Sequence, residues 1–151
     1  MEKTVIVNIK ESEFSPEKLN VISQLKLRCR FEQFMFGDFV FNNKTVVVFI
    51  NKFSKLITTL TNEQSFSSID FLCGCGYKVH FVISDISLED IEFFDYTRNQ
   101  TTLTQAVRQL QNVFGCQFDF CESKDTAKMI LKSAEKPSGQ LNREGPIAIR
   151  R

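Results

Sequence analysis

Apolar runs alternate along this chain with segments of helical periodicity, the pattern of an α/β fold. Residues 4–9 (TVIVNI) predict a first strand. Residues 44–50 (KTVVVFI) are apolar at nearly every position, as expected of a central strand covered on both faces. Residues 79–84 (VHFVIS) and 117–121 (QFDFC) predict two more strands, and 31–41 (FEQFMFGDFVF) reads as extended pieces broken by a turn at Gly37-Asp38. Ser15 predicts an N-cap with Pro16 at the first helical position, where a missing N–H is harmless, and Leu19, Ile22 and Leu25 form the inward stripe. Thr61-Asn62-Glu63-Gln64 reads as a capping box opening a helix through Phe66, Ile69 and Leu72, which Gly74 and Gly76 end. A third helix starts at Thr102, carries Leu103, Val107, Leu110 and Phe114 on one face, and stops at Gly115. The last helix covers 123–135, with Ala127, Ile130, Leu131 and Ala134 inward and Pro137 as its stop. Residues 85–100, acidic and aromatic, read as a loop with one helical turn. Periodicity is lost over 138–151, so the chain divides into one domain, 1–137, and a tail or linker, 138–151.

Composition changes this picture in three ways. The chain carries 16 Phe, 2 Tyr and no Trp, so some of the Phe are expected on a partner-facing surface beside those of a Phe-rich core. Nineteen Lys and Arg against 18 Asp and Glu leave a net charge of +1, so a nucleic-acid contact needs a local patch or a partner's charge. The first residues lack a long apolar run, which predicts no secretory signal, and no stretch approaches the roughly 20 apolar residues of a membrane span. Five cysteines, an odd number, predict a reducing compartment without a disulfide framework.

Conventional catalytic constellations are weak here. Cys73-Gly74-Cys75 with His80 places two thiols one residue apart, whereas zinc sites use C-x₂₋₄-C pairs, and Cys116 and Cys121 would have to fold back to complete four ligands. No metal or other cofactor is therefore expected. The single His lies mid-strand, an unusual place for a catalytic base. Neither a GxxxxGK[ST] nor a GxGxxG phosphate loop occurs.

One arrangement has a distinctive register. Strand one ends in Val7-Asn8-Ile9-Lys10-Glu11, Gly37-Asp38-Phe39 heads the next strand pair, and eight residues later stands Val48-Phe49-Ile50. This layout resembles the XPF family of structure-specific nucleases, the ERCC-four type nuclease domain. Active members read V-D-x-R-E, then G-D-Y/F, then E-R-K after the same spacer. The likeness runs from residue 4 to 137 and includes the closing helix–strand–helix. It implies an XPF-type nuclease fold, a central, mostly parallel sheet flanked by helices. In active members the carboxylates collect Mg²⁺, which activates water and stabilises phosphoryl charge. Position by position, the first acid is Asn8 here, the Arg is Lys10, Asp38 is kept, and Glu-Arg-Lys is replaced by Val48, Phe49 and Ile50. One carboxylate does not hold a hydrated divalent ion, so the resemblance implies a degenerate domain that is not an enzyme and has no catalytic residues.

The resemblance also implies a partner. Members pair an active or larger subunit with a degenerate one, and tandem helix-hairpin-helix motifs that bind DNA follow the nuclease-type domain; no such motif is read here. The likeness is greatest to the small XPF-like subunit of the budding-yeast meiotic crossover complex, with the Fanconi-anaemia translocase partner and the excision-repair partner as the nearest competitors. The expectation is a nuclear, non-catalytic subunit of a heterodimer with a larger XPF-like protein, which recognises branched DNA in meiotic recombination or repair. A structural adaptor with no direct DNA role is the alternative. In the family the closing helices make the partner face, which here points to Phe114, Phe118, Phe120, Ile130 and Leu131. Candidate DNA contacts are Lys52, Lys55, Arg28 and Arg30, with Arg143, Arg150 and Arg151 in the tail.

Overall fold

The computed structural model describes residues 4–10 and 15–135. The tail, with Arg143, Arg150 and Arg151, lies outside the described residues, as do Glu11 and Pro137. Six strands form one sheet: β1 (Thr4–Asn8), β2 (Arg28–Glu32), β3 (Phe39–Phe41), β4 (Thr45–Ile50), β5 (Lys78–Ser84) and β6 (Gln117–Cys121), in the order β2-β1-β3-β4-β5-β6. The pairs β1–β2, β4–β5 and β5–β6 are parallel, and β3 runs antiparallel to both β1 and β4. All strands but β3 therefore point the same way, and β3 begins where β1 and β4 end.

Helices cover both faces. Around them α1 (Pro16–Leu25) and α6 (Thr126–Glu135) bury Val21, Leu25, Ala127 and Ile130 against Val5, Val7, Phe39, Phe49 and Val82. On the other face α2 (Phe53–Thr61), α3 (Glu63–Gly74), α4 (Leu88–Thr97) and α5 (Thr102–Phe114) cover Val48, Ile50, Val79, Phe81 and Ile83. β4 is buried at every position, which is why its sequence carries no alternation.

Four expectations need correction. The inward stripe of α1 is Lys18, Val21 and Leu25, while Leu19 is 50% exposed. The helix is rotated because the Lys18 ammonium finds a carboxylate inside the fold. Helix α2 was not expected: Leu56 and Leu60 are its only buried residues and its N-cap, Lys52, makes no side-chain cap. Thr61 consequently closes α2, donating its hydroxyl to Ile57 O, and Asn62 alone caps α3 by accepting from Gln64 N. Residues 85–100 hold α4 rather than a loop. Ser87 and Asp90 form a reciprocal capping box, but exposed Leu88, Phe93 and Tyr96 blur its periodicity.

Asp95 shows how these helices lock together. It is buried near the end of α4, and its carboxylate accepts from Leu103 N (3.2 Å), Thr104 N (2.8 Å), Thr104 Oγ1 (2.8 Å) and Gln100 Nε2 (3.4 Å). It thereby caps α5, whose own N-cap, Thr101, makes no side-chain bond. Burial pushes the carboxyl pKa up, but the hydrogen bonds from Thr104, Leu103 and Gln100 outweigh it and hold it below its ordinary value. The folded form thus favours the ionised acid. Its contribution is complete above the unfolded-chain pKa of about 3.9 and is lost as pH falls through the lower folded value. D95N should lower stability by about 1–2 kcal/mol at neutral pH. Urea unfolding at pH 7 and in strong acid should show that deficit shrinking in acid; a deficit independent of pH would contradict the capping role.

Candidate functional site

The site expected from the sequence lies at the carboxyl ends of β1 and β4, where β3 begins, a common place for chemistry in open α/β sheets. Gly37 positions it. Its φ is +97°, and a Cβ there would stand 2.4 Å from Val46 Cγ1, so only glycine carries the chain into Asp38. Asp38 N–H then donates to Val47 O, and Asn8 N–H donates to Asp38 O.

Asn8 is fully buried, and its amide is used at both ends. Nδ2 donates to Phe34 O (3.0 Å) and Gly37 O (2.8 Å), while Oδ1 accepts from Lys10 N (3.0 Å) and Phe34 N (3.2 Å). An aspartate here would turn a carboxylate oxygen toward two carbonyls. The side chain clamps the turn before Asp38 in a way that needs an amide.

Asp38 is also fully buried. Oδ1 accepts from Lys18 Nζ at 2.9 Å, and Oδ2 accepts from Phe49 N at 2.7 Å and lies 3.8 Å from Lys55 Nζ. Lys18 Nζ donates as well to Asn8 O at 2.9 Å and sits 5.6 Å from the centroid of the Phe39 ring. The sequence does not mark Lys18 as a site residue, because a lysine following Glu17 in a helix looks like a solvated position unless its carboxylate is known. The three residues in the Glu-Arg-Lys positions are core. Val48 and Ile50 point into the α2–α5 face and Phe49 into the α1–α6 face, all three buried.

The donor set does not fit Mg²⁺. Asp38 is the single carboxylate at the centre, and a buried ammonium and a backbone N–H already use its oxygens. Among the described residues no group of three or more His, Cys, Asp or Glu side chains is placed to hold a metal ion.

The other candidates are scattered. Cys73 packs on the α2–α5 face, with its thiol toward Phe114 O, whereas His80 faces α6 and contacts Ser133 Oγ and Asp119 Oδ2, the latter at 2.6 Å. Cys75 is exposed, and burial together with Cys73 pushes the Cys116 thiol far up, so it stays protonated. Lys52 and Lys55 lie at the start of α2, and Lys55 Nζ is 3.8 Å from Asp38 Oδ2. Arg28 instead lies opposite Thr4, at the far end of β1, and Arg30 pairs with Glu32 along the β2 edge. These four basic residues do not form one patch.

The expected partner face divides similarly. Phe118 stacks on Phe81 with centroids 4.5 Å apart, and Phe114, Phe118 and Phe120 are half-buried against the α2–α5 face. Leu131 is half-buried on the opposite face. Ile130 is a correction: it is 0% exposed inside the α1–α6 core and offers no surface to a partner. Helix α6 turns that position toward Val82 and α1.

These features define a mixed α/β domain with an acid-poor site at the carboxyl edge of its sheet. No family model matches the chain, and no curated protein matches it. Solved structures do. XPF from Aeropyrum pernix superposes with a TM-score of 0.62 at 21% identity, covering 94% of this chain and 63% of that one. XPF from the same organism in complex with DNA gives 0.64 at 20% identity, covering 87% and 63%. The fold is that of the XPF nuclease domain, and the chain spans less than two-thirds of the proteins it matches.

Proposed function

We propose that this chain is the non-catalytic member of a nuclear XPF-like heterodimer that recognises branched DNA in meiotic recombination or repair. One observation carries the reading: the Lys18 ammonium occupies Asp38, while the amide of Asn8 and the apolar Val48-Phe49-Ile50 stand where the family's ligands and base would be. A fixed cation in place of an exchangeable one stabilises the fold and leaves no open coordination position for water. The solved relative complexed with DNA supports a DNA role for the fold. β6 is an edge of the sheet, and Phe118 and Phe120 on it are only half-buried, which supports a protein partner there.

Co-expression with a larger XPF-like subunit, followed by light scattering on a sizing column, is the test. The expected result is a 1:1 complex that binds junction DNA and leaves it uncut in Mg²⁺ or Mn²⁺ when the larger subunit's own acids are removed. Cleavage by such a complex would overturn the non-catalytic reading. A chain that stays monomeric beside every XPF-like subunit would overturn the heterodimer. A groove of about 420 Å³ between Phe34, Met35, Phe36, Phe71 and Tyr77, with Met35 and Phe71 mostly exposed, favours a second reading as a protein-binding adaptor. Stable partner binding without any DNA affinity would select it.

A further inference from the structure

Helix α4 buries Ile91 and Asp95 and turns a different set of side chains outward. Glu89, Glu92, Phe93 and Tyr96 are all exposed, the two rings at 65% and 81%. Their spacing makes one patch. Glu89 stands four residues before Phe93, Glu92 four before Tyr96, and Phe93 three before Tyr96, so the four side chains are neighbours on one helix face. Two adjacent aromatic rings left in water form a contact surface rather than a lone exposed hydrophobe.

Charge narrows what covers it. Residues 85–100 carry five acids and one base. Asp85 accepts from Ser123 N, Asp90 completes the capping box with Ser87, and Asp95 caps α5. Glu89 and Glu92 have no such role: no hydrogen bond or salt bridge joins either of them to another of the described residues. The one base, Arg98, lies over the Phe94 ring, 3.8 Å from its centroid. This helix therefore already stacks a guanidinium on one of its rings. Among the described residues neither Phe93 nor Tyr96 has a cation over it, although carboxylates flank both. Two carboxylates repel phosphate backbones and acidic headgroups, which leaves a basic protein segment as the occupant. Arginine fits better than lysine, because a planar guanidinium pairs with a carboxylate and stacks on an aromatic ring at once.

We propose that the outer face of α4 docks an arginine-bearing segment of a partner protein, with guanidinium groups paired to Glu89 and Glu92 and stacked on Phe93 and Tyr96. The proposal does not depend on the DNA reading, and either can fail without the other.

Amide NMR of the full chain tests it, with a short peptide of alternating arginine and leucine as the probe and its lysine–leucine and glutamate–leucine counterparts beside it. The arginine peptide is expected to move the amides of Glu89, Glu92, Phe93 and Tyr96. Glu89→Gln with Glu92→Gln should weaken it about fivefold, and Tyr96→Leu, which keeps an apolar side chain but no ring, about threefold. All three positions are exposed, so these variants should fold as the wild type does. The lysine peptide should bind more weakly and the glutamate peptide not at all. Equal binding of the lysine peptide overturns guanidinium recognition, and equal binding of the glutamate peptide overturns a basic occupant. Arginine-peptide binding that the three substitutions leave unchanged, or no shift at all, overturns the site. If dilution of the free chain moves the same amides, the occupant is a second copy. If the peptide binds only after Arg150→Gln with Arg151→Gln, the occupant is the chain's own 138–151 segment. Either result overturns the partner.

Discussion

Replacing Lys18 by methionine is expected to destabilise the fold by roughly 3–5 kcal/mol, the largest effect of any single polar substitution here. Methionine keeps much of the apolar stem, so packing against Phe39 is largely preserved. The charge is another matter. Asp38 would keep Phe49 N–H and a Lys55 contact at 3.8 Å, but lose its 2.9 Å partner, and Asn8 O would lose a donor as well. A carboxylate 1% exposed without its closest cation carries most of its desolvation penalty uncompensated. Removing both charges is a different experiment. K18M/D38N leaves an amide oxygen for Phe49 N–H and no buried ion, so much of the loss should return. Urea unfolding of the wild type, the single variant and the double variant measures this directly. A single variant within about 1 kcal/mol of wild type would mean that Lys18 does not hold Asp38 in solution.

Ile130→Ala is the second large effect, about 2–5 kcal/mol for an isoleucine fully enclosed between α1 and β5. The location of the loss matters as much as its size. Because Ile130 is core, the isolated chain should show the full deficit in thermal or urea unfolding. Phe118→Ala is the comparison, because its half-exposed ring sits on the edge strand and its loss should weaken a complex as well as the chain. If Ile130→Ala left the isolated chain intact and impaired only partner binding, the position of α6 would be wrong.

Ile130 marks where a linear pattern informs and where it stops. Its periodicity with Ala127 places both on one inward stripe, and both are buried. Periodicity cannot say whether that inward side meets the same chain or a second one, because the apolar chemistry is identical. Val48-Phe49-Ile50 was legible without structure, since three apolar side chains offer no ligand in any geometry. The amide at position 8 was legible as an amide but not as a clamp. Three of its four hydrogen bonds go to Phe34 and Gly37, 26 and 29 residues away.

By itself the sequence determined what local backbone preference and continuous burial control: the covered strands β4 and β5, the Ser15–Pro16 start of α1, and the Gly115 stop of α5 with its positive φ of +70°. The tertiary structure alone decided the β3 insertion between β1 and β4, the capping of α5 by Asp95 from α4, and the inward turn of Lys18. Each of these depends on a partner distant in sequence or on another element. Burying an ammonium is unfavourable on its own and becomes favourable only once packing has brought Asp38 within 2.9 Å, a condition that no local pattern encodes.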